Sequence, residues 1–195
     1  MNETPVHEPT RLTDLLDRIQ RMTRGLQYAH GLNPAQWDAL RCIARANRYS
    51  RTPGALAQFL GTTKGTASQT INALEKKGLL TRCADPEDKR VRQIVLTGAG
   101  EALLARDPLN CLDLAVEKLA PDVAEIVTAG LARLSADLQE RCGGADVGVC
   151  VQCGHFGGPT GDGGARCGLK QADIPVADVG KICVNFRIAN PVGQG

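Results

Sequence analysis

From Thr10 to about Gly31, apolar residues recur every three or four positions. Leu12, Leu15, Leu16, Ile19, Met22 and Leu26 form one broad stripe, and this spacing predicts an amphipathic helix. Asn33-Pro34 is a helix start, with Trp37, Leu40, Ile43 and Ala44 turned inward. Thr52-Pro53 repeats that signal for a short helix ending near Leu60-Gly61. Thr63 opens another helix, which runs to Lys77 and stops at Gly78. Leu79–Cys83 and Arg90–Leu96 are predicted to be strands joined by the turn Ala84-Asp85-Pro86-Glu87-Asp88. Thr97 begins a long helical stretch that Pro108 should kink or divide, and Pro121 opens a last helix to about Arg141.

At Cys142-Gly143-Gly144 the periodicity ends. Gly154 to Arg166 (GHFGGPTGDGGAR) holds six glycines and one proline. Such a stretch buries too little apolar surface to offset its chain entropy, so it is either a disordered tail or a module folded around a metal. The predicted organisation is therefore residues 1–141 as one domain and 142–195 as a small, irregular metal- or cluster-binding module. The predicted fold class is mainly α with a small β wing, carrying that module at its end.

Composition narrows the function classes. The chain is 43% hydrophobic and 23% charged, as in an ordinary globular protein, and no apolar run reaches membrane-spanning length. The N-terminus is polar rather than a signal peptide, which points to a cytoplasmic protein with no membrane partner. A net charge of +2 does not by itself identify a nucleic-acid binder, although Pro53–Arg92 holds seven Lys/Arg against four Asp/Glu. Eight cysteines without a signal peptide read as metal ligands or redox thiols before structural disulfides. Five of them, Cys142, Cys150, Cys153, Cys167 and Cys183, fall in the last 54 residues.

Two short helices followed by a hairpin make a winged helix-turn-helix. In the second helix Ala67, Ile71 and Leu74 face the core, leaving Gly65, Gln69, Asn72 and Lys76 on the opposite face, flanked by Thr66 and Ser68. Small polar side chains let a helix sit deep in the major groove, where Gln69 or Asn72 can pair with an adenine edge and Thr66 can meet a thymine methyl. At the hairpin tip Lys89, Arg90 and Arg92 follow a tight acidic turn, as suits a narrow, electronegative minor groove, with Asp88 placed to orient Arg90. A solvated helix face and a solvated charged turn are the plainer alternatives.

Leu32 to Leu104 resembles the core of the MarR regulator family. The matching pieces are LNPAQWDALRCIA, GALAQFLGTTKGTASQTINALEKKGLL and RCADPEDKRVRQIVLTGAGEALL, in that order. The resemblance implies an obligate homodimer whose first and last two helices interlock, with two recognition helices reading a pseudo-palindromic operator in double-stranded DNA. It implies that Thr63, Lys64, Thr66, Ser68 and Gln69 enter the groove and that Arg90 lies in the minor groove. Gly65 and Ala67 are smaller than is usual there, and Pro108 interrupts a normally continuous helix. The apolar residues Leu12, Leu16, Ile19, Leu112, Leu131 and Leu134 also exceed what a small winged helix buries alone.

The tail carries Cys150-x2-Cys153, then Cys167 and Cys183, each isolated. Four thiolates with one such knuckle suit a tetrahedral zinc ion or a cubane cluster. A zinc ribbon normally supplies two knuckles around one ion, whereas a cubane presents its irons at separate corners. The strings CVQCGHF, CGL and CVNF resemble high-potential iron–sulfur proteins and related cluster-binding subunits. That resemblance implies a [4Fe-4S] cluster on Cys150, Cys153, Cys167 and Cys183, shielded by Phe156 and Phe186. His155 reads as a turn residue and Cys142 as spare. Cys42 and Cys111 read as small apolar residues, and Cys83 as a possible reactive thiol on the wing strand.

The expected function is a DNA-binding regulator whose operator affinity responds to the cluster. The runner-up is a repressor that senses a small organic anion, with Zn2+ as a passive staple. A redox enzyme fits least, because the chain offers no nucleotide loop, catalytic triad or paired carboxylates.

Overall fold

The computed structural model describes residues 11–85, 92–142 and 147–187. Helices α1 (Leu12–Leu26), α2 (Pro34–Arg45), α3 (Pro53–Phe59) and α4 (Lys64–Lys76) precede strands β1 (Leu80–Ala84) and β2 (Arg92–Leu96). Helices α5 (Gly98–Leu104), α6 (Asn110–Val116) and α7 (Pro121–Cys142) follow. The C-terminal module holds β3 (Phe156–Pro159), β4 (Ala165–Cys167), β5 (Ala172–Ile174) and the short α8 (Val176–Val179).

The helix starts come from local chemistry. Asn33 accepts a hydrogen bond from the Gln36 N–H at 3.0 Å, and its own N–H donates to the Gln36 side chain, closing a capping box ahead of Pro34. Thr52, Thr63 and Thr97 each cap the next helix through their hydroxyls. The core beneath is built from Trp37, Leu40, Ile43, Leu56, Ala67, Ile71, Leu74, Leu80 and Ile94, drawn from α2, α3, α4 and the hairpin. Strands β1 and β2 pair antiparallel, with Leu80 opposite Leu96 and Ala84 opposite Arg92.

The structure revises one element boundary. The first helix ends at Leu26, and His30 and Gly31 take up left-handed backbone that no helix continues through. As expected, Pro108 divides the stretch that opens at Thr97, and α6 begins only at Asn110.

The C-terminal module is less irregular than its composition predicts. Its three short strands form an antiparallel sheet in the order β3-β4-β5, with Phe156 opposite Cys167 and Ala165 opposite Ile174. Glycine permits this. A side chain at Gly164 would lie 2.4 Å from the Ile174 carbonyl oxygen. The preceding turn is tied by Asp162, which accepts from the Thr160 hydroxyl at 2.6 Å and from the Gly164 N–H at 3.1 Å. Those two bonds hold the exposed Asp162 carboxyl below its usual range. Ala165 and Ile174 are the buried hydrophobic residues of the module's described part.

Helices α1 and α6 bury none of their residues, and Leu12, Leu15, Ile19, Met22, Leu112, Ile126, Leu131 and Leu138 all stand exposed along α1, α6 and α7. Arg41 links the end of α1 and the segment between α5 and α6 to α2. Its guanidinium grips the buried Asp107 carboxylate with two contacts of 2.9 and 3.0 Å from Nη1, and its Nη2 donates to Gln27 at the end of α1.

Gly100 sits where α5 crosses the hairpin. A Cβ there would lie 2.2 Å from the Leu79 carbonyl oxygen, which is main chain and cannot swing away. Gly100→Ala is therefore expected to cost about 1–3 kcal/mol of unfolding free energy through overpacking, read as a lower midpoint in denaturant titration.

Candidate nucleic-acid interface and cysteine site

Helix α4 buries Ala67, Ile71 and Leu74 and turns its other face outward. Thr63, Lys64, Gly65, Thr66, Gln69, Asn72 and Lys76 are exposed and Ser68 is half-buried, so the predicted reading face is formed as one surface. Its start is ordered by Thr63, whose hydroxyl caps the Thr66 N–H at 3.1 Å and lies 2.9 Å from the Thr66 hydroxyl. Asn72 is engaged from the side, because its carbonyl oxygen accepts from Arg82 of β1 at 2.8 Å while Arg82 also pairs with Glu75 at 2.9 Å. That leaves Gln69 and Thr66 as the polar groups presented without this β1 tether. On the wing, Arg92 is exposed at the start of β2. Asp88, Lys89 and Arg90 lie outside the described residues.

The four predicted cysteine ligands come together. Cys150 and Cys153 stand at the two ends of a single 3-10 turn, in which the Cys153 N–H donates to the Cys150 carbonyl at 3.0 Å. Cys167 ends β4, and Cys183 is held by its N–H to the Gly148 carbonyl at 3.0 Å. All four line one pocket, whose remaining walls include Phe156, Leu169, Ile174 and Tyr49. Burial and the neighbouring Cys183, Cys167 and Cys153 push the Cys150 thiol up to about 11. The His155 N–H points to the Cys153 sulfur at 3.5 Å, the kind of contact that steadies a ligating thiolate. Among the described residues, no group of three or more His, Cys, Asp or Glu converges as a single metal ion requires.

Two details of the pocket differ from the sequence reading. Phe156 is in the wall, but Phe186 packs on Gly148, where an added side chain would meet its ring at 2.4 Å. The aromatic wall that sequence reasoning missed is Tyr49, which belongs to the winged helix and not to the tail. Its signal was faint: an aromatic residue in the polar segment Ala46–Thr52 of a chain only 3% aromatic. Cys42 is buried as expected, whereas Cys83 and Cys111 are exposed in the chain and the side chain of Cys142 lies outside the described ones.

Residues 30–91 match the model of the MarR family. This stretch is similar to the winged helix of that family. The uncharacterized HTH-type transcriptional regulator YkoM of Bacillus subtilis is 33% identical over 99 residues, 48% of this chain and 61% of YkoM. The chain spans between 53% and 61% of the length of the curated relatives it matches. The fold is that of a MarR family protein from Bacillus stearothermophilus, with a TM-score of 0.54 at 18% identity over 66% of this chain and 90% of that one. It is also that of MepR of S. aureus in its DNA complex, with a TM-score of 0.52 at 22% identity over 67% of this chain and all of MepR. The family match ends before the cysteine module begins. Among the described residues no helix is long and apolar enough to cross a membrane.

The winged-helix core makes a clear thiol prediction. Burial pushes the Cys42 thiol up to about 12 from an ordinary 9.0. An alkylating reagent at mildly alkaline pH should modify exposed Cys83 in the native protein and reach Cys42 only on unfolding. Because the folded value is the higher one, Cys42 supports the fold fully below pH 9.0, and that support is lost as pH rises from there toward 12. Cys42→Ala should accordingly flatten the alkaline fall in stability, read from denaturation midpoints across that window.

Proposed function

We propose that this chain is a homodimeric, sequence-specific DNA-binding transcriptional regulator rather than an enzyme, and that its operator affinity responds to a [4Fe-4S] cluster held by Cys150, Cys153, Cys167 and Cys183. The observation that carries the reading is the pocket lined by four cysteines from three segments of chain and walled partly by Tyr49 of the winged helix. When bound, such a cluster supplies a redox state and a set of oxidant-sensitive iron–thiolate bonds, tuned by hydrogen bonds to sulfur and by exposure.

The chain's own residues do the rest. Phe156, Leu169, Ile174 and Tyr49 exclude water from the sulfurs, and the His155 N–H orients Cys153. The spread of the four thiols favours a multi-iron cluster over zinc, since one tetrahedral ion draws its sulfurs to about 2.3 Å from a common centre. The organic-anion alternative finds less support. A second cavity beside Arg41 and Arg45 exists, but Arg41 is already committed to Asp107, Asp38 and Gln27.

Toward DNA, Thr63, Lys64, Thr66, Ser68, Gln69 and Asn72 of α4 would enter the major groove, with Lys89, Arg90 and Arg92 of the wing against the adjacent minor groove. The apolar rows of α1, α6 and α7 would meet their equivalents in a second copy, giving two reading heads for a pseudo-palindromic site and a cytoplasmic regulator.

Protein purified without oxygen should contain iron and acid-labile sulfide in equal amount. Serine at any one of the four cysteines should remove them, while Cys42→Ser keeps them. Zinc alone would contradict the cluster. Light scattering at micromolar concentration should give twice the chain mass, and a stable monomer would overturn the dimer. Gln69→Ala should lose about 1–3 kcal/mol of discrimination between operator and random duplex, with little change on random DNA. Equal losses on both would reduce Gln69 to a backbone contact.

A further inference from the structure

The cysteine module is fastened to the winged helix along one strip of backbone. The Ile182 N–H donates to the Arg45 carbonyl at 2.8 Å, and the Asn47 N–H returns a bond to the Ile182 carbonyl at 2.9 Å. The Val184 N–H donates to the Ser50 hydroxyl oxygen at 2.8 Å, and Ser50 is fully buried. Cys183 is the residue between those two anchors. The buried Asp178 completes the grip, because its carboxylate accepts the Arg48 N–H at 2.9 Å and pairs with Arg51 at 3.3 Å and Lys181 at 3.0 Å.

The same strip holds the wing. The Arg51 carbonyl accepts the Ile94 N–H of β2 at 2.8 Å, and Arg48 pairs with Asp85 at 3.4 Å, where β1 leads into the hairpin tip. Asp85 in turn accepts from Gln93 of β2. Thr52, the next residue along, caps α3, which packs against α4. Residues 46–51 are thus bonded to the flanks of one cysteine, supply Tyr49 to the pocket wall, and anchor the base of the hairpin.

We infer that Ala46–Arg51 is the element through which the cysteine site governs DNA binding, with Asp178 and Ser50 as the positioning residues that transmit the position of Cys183 to the wing. This inference rests on the cluster reading above. Filling the pocket fixes Cys183, and with it Ile182 and Val184. The strip then holds Arg51 and Arg48 where they order β2 and Asp85. Emptying the pocket releases Cys183, loosens the strip, and leaves the wing base without its support.

The test is amide hydrogen exchange on the full-length protein, loaded anaerobically or stripped with a chelator. Stripping should deprotect Asn47, Arg48, Ile182, Val184 and Ile94 together, while the α2 and α4 core amides stay protected. Asp178→Asn and Ser50→Ala should each keep iron, sulfide and visible absorbance yet show the stripped exchange pattern at Asn47, Arg48 and Ile94. Loaded Asp178→Asn should bind a duplex selected from random DNA by the loaded wild type as the stripped wild type does, a change of about 5–150-fold if the coupling is of ordinary size. Unchanged protection of residues 46–51 and Ile94 on stripping would overturn the inference while leaving the cluster in place. So would loaded Asp178→Asn binding DNA as loaded wild type does. Absence of iron and sulfide from the wild type would overturn the cluster reading itself, and the coupling with it.

Discussion

A segment with two buried apolar side chains does not hold a pocket open by packing. That constraint governs residues 147–187. Ala165 and Ile174 bury too little surface to offset the ordering of some forty residues, many of them glycine. The remaining order comes from hydrogen bonds, some within the sheet β3-β4-β5 and its turn and others to Arg45–Arg51. The second set flanks Cys183, whose neighbours on either side are bonded to the winged helix. The module is therefore an annex of the winged helix, and its pocket is walled in part by Tyr49.

The winged helix has the opposite character. Its core of Trp37, Leu40, Leu56, Ile71, Leu74 and Ile94 is continuous from α2 through the hairpin, with Ile182 of the tail packed against it. What it leaves uncovered is the outer layer. Helix α1 buries nothing within the chain, and α7 presents Ile126 and Leu131 to solvent. Arg41 ties the end of α1 and the segment after α5 to α2 through Gln27 and Asp107.

Much of this was legible in the sequence because it rests on short-range chemistry. Asn33-Pro34, Thr52-Pro53 and Thr63 start helices by local capping, and Pro108 divides one by lacking an N–H. The four pocket cysteines were legible as a group because they crowd the last part of a chain otherwise sparse in them. The sheet β3-β4-β5 was not, since strands of three or four residues rich in glycine show no alternation to read. Phe186 was misplaced because its packing partner, Gly148, has no side chain to announce it. Tyr49, Ser50 and Asp178 were invisible as a group. Their partners lie about 130 residues away, and nothing in local spacing links Arg48 to Asp178.

In the function proposed above, one chain couples a winged-helix reading head to a cysteine-held cluster. The most direct measurement of that coupling is the dissociation constant for a selected operator duplex at one fixed salt concentration, taken first on anaerobically loaded wild-type protein and then on the same protein after chelation. Salt must be held constant because phosphate contacts alone shift affinity steeply with it. The two forms should differ by at least about fivefold, the lower end of ordinary coupling between sites, while both remain folded dimers. Identical affinities for the loaded and stripped dimers would contradict it, and leave the cluster as a staple with no part in DNA binding.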